Sequence, residues 1–224
     1  IQGGKCDALK VNPVEKLKDI QIKEFDIYHP NKNEKSNCAS IYYPMGNYSA
    51  SMVAYLKLFE AIIEQKFYNE LRTKQQFGYL VKCYSSRFNN NYFFIQKIQS
   101  ERSPEEIIDA IKKFNTEFIN SLDSMKNSDE FEEYKRSLFK TFNEPENNTE
   151  EYFDLFRSEI SRGDYMFDRN HKVSDEIIKI KFEDFKLFSS NILMNMVQTE
   201  NTKKISNDNT MPALNAKICI IRSN

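Results

Sequence analysis

Apolar residues recur along this chain at two alternating periods, and the alternation divides it into strands and helices. Residues 19–30 alternate, with Ile20 and Ile22 on one side and Phe25 and Ile27 resuming after a one-residue slip, which predicts a bulged strand. The polar run Pro30-Asn31-Lys32-Asn33-Glu34-Lys35 predicts a turn, and residues 36–44 a second strand, with Ala39, Ile41 and Tyr43 on one side and Pro44 as its end. A hairpin is the economical pairing of the two. The period then lengthens. Met52, Leu56, Phe59, Ile63 and Phe67 fall on one helical stripe, flanked by Val53, Ile62 and Leu71, with Ser49 as the cap. Alternation returns over 78–84 and 92–99, two strands around a polar loop. Ser103-Pro104-Glu105-Glu106 then starts a helix: serine caps, proline takes the first position, and Glu106 closes the capping box. Ile107, Ile108, Ile111, Phe114 and Phe118 carry it to about Leu122.

Helices follow. One is expected from about Asn127, with Phe131, Tyr134, Leu138 and Phe142 inward, ending before Pro145. Asn148 with Glu151 opens the next, with Tyr152, Phe153, Phe156 and Ile160 inward and Gly163 as the stop. Ser174 starts a short helix, and Glu183 to Asn195 is helical again. Residues 200–212 are polar and loose, and Lys217-Ile218-Cys219-Ile220-Ile221 is a last strand. Strands early and helices late predict an α+β fold: a mainly antiparallel or mixed sheet of about five strands, with helices packed on one face.

The remaining composition narrows function by exclusion. The chain has 224 residues, 32 basic and 33 acidic, and a formal net charge of −1. That balance gives no electrostatic case for nucleic acid or an anionic membrane, and no run approaches the ~18 apolar residues of a spanning helix. Cys6, Cys38, Cys83 and Cys219 lie far apart, without metal-ligand spacing, and are expected to be buried small hydrophobes in a reducing compartment, the cytoplasm. His29 and His171 stand 142 positions apart, so no conventional zinc site is expected from this chain. No serine elbow or phosphate loop occurs, and the acidic runs read as solvated helix faces. The Asn-x-Ser/Thr triplets at Asn47 and Asn147 are expected by chance in an Asn-rich chain. Residues 1–18 read as a tail or linker, and the opening Ile1-Gln2-Gly3-Gly4 as the start of a piece of a longer polypeptide.

One stretch carries chemistry. Glu70-Leu71-Arg72-Thr73-Lys74-Gln75-Gln76-Phe77-Gly78-Tyr79 joins the long helix to the third strand. It sets a guanidinium in the last helical turn and a phenol where the strand begins. Both are donors suited to a peptide carbonyl or carboxylate. Read singly, Arg72 is a charge favoured at a helix C-terminus and Tyr79 an ordinary strand aromatic. Read as a string, residues 71–81 resemble the hallmark of the last domain of insulin-degrading-enzyme-like zinc peptidases, the inverzincins. The element order resembles that domain over roughly residues 19–222, so 19–224 is expected to be the C-terminal non-catalytic domain.

The resemblance implies a division of labour. Zinc and water belong to a domain outside this chain, on an H-x-x-E-H helix. Here Tyr79 would donate to the scissile carbonyl oxygen or its oxyanion, and Arg72 would hold a neighbouring backbone carbonyl. Tyr68 stands where the family has an aromatic lining the cleft, although Phe67 beside it is the better core residue. The implied partners are a peptide substrate and the N-terminal catalytic domains. An apolar surface is expected where those domains dock, and self-association of the isolated chain is consistent with it. The chain alone is expected to be inactive. Two other readings remain open: a catalytically inactive structural domain of the same fold, as in processing-peptidase partners and respiratory-complex core proteins, and an unrelated α+β binding domain.

Overall fold

A computed structural model of the chain describes residues 24–88, 91–126, 128–194 and 216–223. The expected tail at 1–18, the first residues of the first strand, Cys6, the cap at Asn127 and the loop at 200–212 lie outside the described residues. Five strands form one sheet: β1 (Glu24–Tyr28), β2 (Asn37–Asn47), β3 (Leu80–Phe88), β4 (Asn91–Ser100) and β5 (Lys217–Arg222). Their spatial order is β1-β5-β2-β4-β3, parallel between β1 and β5 and antiparallel elsewhere. The expected hairpin of the first two strands is therefore replaced by a gap that β5 fills. Strands lie about 4.8 Å apart, so the connection through residues 29–36 has ample reach to cross one strand position. The apolar run of β5 explains the choice, because a strand paired on both sides is the best place for it.

Strand β2 also outlasts Pro44. It continues to Asn47 through a register shift between Pro44 and Gly46, where Gly46 takes φ +82°. β5 begins at Lys217 opposite Tyr42, so among the described residues that side of β2 is an edge beyond this point, where proline costs no ladder hydrogen bond.

Alternation decides which face of the sheet is covered. Ala39, Ile41 and Tyr43 of β2, Phe94 and Ile98 of β4, and Val81 and Cys83 of β3 are all buried on one face. Helices α1 (Ala50–Tyr68) and α2 (Pro104–Ser121) pack there. The whole stripe Met52, Leu56, Phe59, Ile63 and Phe67 is buried. Phe59 meets Phe94 edge-on with centroids 4.8 Å apart, which locks helix to sheet. A closed polar triad crosses the same contact. Tyr43 Oη donates to Gln96 Oε1 at 2.6 Å, Gln96 Nε2 to Asn115 Oδ1 at 2.8 Å, and Asn115 Nδ2 to Tyr43 Oη at 3.1 Å. Burial holds the Tyr43 phenol above its ordinary pKa.

The other helices are α3 (Asp123–Lys126), α4 (Glu130–Asn143), α5 (Thr149–Arg162), α6 (Arg169–Ile177) and α7 (Phe182–Met194). α4, α6 and α7 pack onto α1. The caps at Ser49, Ser103 and Asn148 form as expected, the second as a full capping box and the third completed by Gly163 at φ +70°. Ser174 starts no helix. It lies within α6, its hydroxyl donating to the His171 carbonyl at 2.8 Å, while the helix begins at Arg169. The larger departure is α5, where Tyr152, Phe153, Phe156 and Ile160 face outward rather than inward.

Candidate functional site at the helix-to-strand corner

Helix α1 does not stop at its last core residue. From Asn69 to Lys74 it widens into a π-helical turn, with the Gln75 N–H donating back five residues to the Glu70 carbonyl at 3.0 Å. Leu71 stays buried and anchors the turn, and the Phe77 N–H reaches the Leu71 carbonyl at 2.9 Å. Arg72 is therefore carried by the wider turn rather than by the α-helix itself. Such insertions rotate the residues beyond them relative to the helix axis.

The chain then reverses through Gln76, whose φ of +53° is uncommon for a residue with a Cβ. Two contacts fix that conformation. Arg102, just past β4, donates from Nη2 to the Gln75 carbonyl at 2.9 Å and lays its guanidinium over the Phe77 ring at 4.1 Å. Gly78 then passes against β4 so closely that a Cβ would stand 2.0 Å from the Gln99 carbonyl oxygen. Only glycine fits there, for want of space. Tyr79 follows as the last residue before β3 and is 91% exposed.

Tyr68, Arg72, Thr73 and Gln76 line one open groove. Phe67 is fully buried against Phe114, whereas the adjacent Tyr68 is 44% exposed, so the aromatic at the groove is Tyr68. Among the described residues the Arg72 guanidinium has no ion pair or hydrogen-bond acceptor, while its neighbours are matched. Lys74 Nζ donates to Glu70 Oε2 at 2.8 Å and Gln75 Nε2 to Oε1 at 2.9 Å. Those bonds hold the Glu70 carboxyl below its usual range and its partner Lys74 above its own. The acid nearest in sequence is thus committed elsewhere. Tyr79 is not part of the groove wall; it projects from the far end of the same turn.

The structure thus brings Tyr68 and Arg72 together, and sets Tyr79 outside the core beyond the glycine. Sequence reasoning missed Arg102, Gln76 and the space constraint on Gly78. The string Ser100-Glu101-Arg102-Ser103-Pro104 gave only a helix start, and nothing in it indicates that Arg102 reaches back across the sheet. His29 sits in the turn after β1, and His171 Nδ1 lies 3.0 Å from Asn143 Oδ1. Among the described residues no three His, Cys, Asp or Glu side chains come together to hold a metal, so these residues do not fit a zinc. Cys38, Cys83 and Cys219 are free thiols; only Cys83 is fully buried, and burial pushes it well above its ordinary pKa. Among the described residues no helix is long and apolar enough to cross a membrane.

Comparison with known proteins bears on the family and the fold. Residues 58–156, which include the corner, match the sequence model of a family described as PQQ synthase PqqF-like, C-terminal lobe domain 4. A nardilysin-like protein of Arabidopsis thaliana is 29% identical over 173 residues, 75% of this chain and 16% of that protein. An insulin-degrading enzyme homolog of Dictyostelium discoideum is 28% identical over 181 residues, 77% of this chain and 19% of that protein. The chain thus spans less than a fifth of the length of these curated relatives. In fold it is similar to crystalline pitrilysin, with a TM-score of 0.68 over 90% of this chain and 20% of that one, at 18% identity. In sequence and fold the chain is similar to the C-terminal-lobe domain of insulin-degrading-enzyme-like zinc metallopeptidases.

Proposed function

We propose that residues 19–224 form the substrate-binding C-terminal domain of a peptide-degrading zinc metalloendopeptidase, with residues 1–18 as the linker into it. In this reading the metal, carried in the name of one relative as a zinc protease, is held by another domain of the polypeptide. This chain supplies donors. Arg72 holds a backbone carbonyl of the bound peptide through its planar fork. Tyr79 donates its phenolic proton in a hydrogen bond to the scissile carbonyl oxygen and more strongly to the oxyanion it becomes. Tyr68 lends an aromatic wall.

The observation that carries the reading is the Arg72 guanidinium. It stands in an open groove without a partner among the described residues, while Glu70 beside it is saturated by Lys74 and Gln75. A guanidinium whose nearest acid in sequence is paired with other groups is free to take an incoming acceptor. The backbone of the corner is also pinned, by Arg102 on the Gln75 carbonyl and by Gly78 against β4, and donors positioned before the reaction lose least on reorganisation.

Tyr79→Phe in the complete polypeptide tests it. Loss of one such donor lowers kcat by about 10²–10³. Because Tyr79 is 91% exposed, the thermal midpoint stays unchanged. Full peptide turnover by a well-folded Tyr79→Phe protein refutes the assignment.

A further inference from the structure

Helix α5 is built inside out. Its one fully buried residue is Glu159, held by Arg169 through Nε to Oε1 at 2.6 Å and Nη2 to Oε2 at 2.9 Å. Of its apolar residues Leu155 is half-buried, and the other four are exposed. Tyr152, Phe153, Phe156 and Ile160 follow one another at helical spacing along the outer side, Phe153 63% and Ile160 54% exposed. Phe167, its ring 5.1 Å from that of Phe156, and the exposed Tyr165 extend the stripe past Gly163. At about 200 Å² for a whole aromatic side chain, the four helical residues alone leave roughly 400 Å² of apolar surface in water. That is the size of the largest apolar patch on a typical monomer, about 300–600 Å², and such patches are often functional.

The helix is not waiting to fold. Asn148 caps it, Gly163 ends it, and Arg169 also binds Asp164 at 2.7 Å, so the stripe is held in a fixed position. The paired Asp154 and Arg157, 2.8 Å apart and exposed, border it as a polar rim. An apolar centre with a polar rim is the anatomy of a protein interface.

We propose that this outer face of α5 is the seam against which a neighbouring domain of the same polypeptide packs an apolar surface. The inference rests on the reading that this chain is one domain of a longer peptidase. Two facts favour that occupant. The matching family is domain 4 of a lobe, so its members have neighbours within the lobe. The curated relatives extend far beyond this chain, which fills 16% and 19% of them.

Hydroxyl-radical labelling of the complete polypeptide, read by mass spectrometry, tests the seam without any substitution. Labelling of Phe153 and Ile160 is expected to fall about tenfold below that in the unfolded polypeptide, as burial at an interface centre requires. It should stay low on dilution, with a monomeric sedimentation coefficient. The double variant Phe153→Asp, Ile160→Asp is expected to restore labelling of Phe156 and to open the interdomain junction to limited proteolysis. Labelling within about twofold of the unfolded value means the face stays open and overturns the proposal. Protection lost on dilution together with a dimer-to-monomer shift assigns the face to a second copy and overturns it equally. Peptide turnover measured on the same sample separates the two failures: an active enzyme with an open face sinks only the seam, and an inactive one sinks the peptidase reading.

Discussion

Replacing Gly78 by alanine adds one methyl group, and its surroundings are fixed. The Cβ would lie 2.0 Å from the Gln99 carbonyl oxygen, 3.1 Å from the Gln99 carbonyl carbon and 3.2 Å from the Ser100 Cα, all backbone of β4. No side-chain rotation relieves such a contact. Ordinary contact begins at 3.4 Å, so the Gln76–Tyr79 corner must retreat from β4 by roughly 1.4 Å, the difference between the two distances. Overpacking of this kind costs about 1–3 kcal/mol. The retreat also moves Tyr79, the next residue, by about the misplacement that costs some 10²-fold in rate when reacting groups must be aligned. Gly163→Ala is the internal comparison. A Cβ there meets nothing within 4 Å, but φ is +70°, so the cost is about 1 kcal/mol of backbone strain and no displacement of the corner. Thermal unfolding and peptide turnover should be measured on both variants in the complete polypeptide. Gly78→Ala is expected to lose stability and turnover together, and Gly163→Ala stability alone. A Gly78→Ala protein with wild-type stability and turnover would refute the account of the corner.

The remaining predictions concern the interactions that hold the frame. Arg169 holds the Glu159 carboxyl below its ordinary pKa, so its contribution is complete above the unfolded value near 4.3 and is lost as pH falls through the folded one. Glu159→Gln should therefore cost about 3 kcal/mol at neutral pH, and the gap to wild type should shrink below about pH 4 in urea titrations; a gap independent of pH would contradict this. Asn115→Ala opens the buried triad with Tyr43 and Gln96 and should cost about 1–3 kcal/mol by chemical denaturation, whereas a surface-like loss below ~0.5 kcal/mol would mean water replaces it. Ser103→Ala removes the hydroxyl that accepts the Glu106 N–H at 3.2 Å and should cost about 1 kcal/mol, read from the same curves.

How much could be read in advance depends on the range of the interactions involved. The stripe of α1, the caps at Ser49, Ser103 and Asn148, and the inward set Ala39, Ile41 and Tyr43 are local. Each depends on residues within a few positions, and each stands where periodicity puts it. The place of β5 between β1 and β2 was illegible because it depends on pairing across some 180 residues, and no local pattern records it. Arg72 and Tyr79 were legible as residue types in a string, and Tyr68 only through the resemblance that string carries. The hold of Arg102 on the corner was not, because 27 residues separate Arg102 from Gln75 and a whole hairpin lies between.

The misreading of α5 has a different origin and more to teach. Helical periodicity reports that a stripe is apolar; it does not report what covers the stripe. The rule that apolar faces point inward assumes that the folding unit and the chain coincide. In α5 the inner side is instead specified by charge: Glu159 with Arg169, and Asp164 with Arg169, are interactions no hydrophobic pattern can display. The same holds at the corner, where Arg72 lies beside a groove and Tyr79 stands in water. Both surfaces are costly for an isolated domain, one in exposed apolar area and the other in a strained, glycine-locked turn. The two proposals made above would offset each of them: an apolar face against α5 and a peptide at the corner. On those proposals, the residues that break the inward rule mark where this domain meets the remainder of its polypeptide.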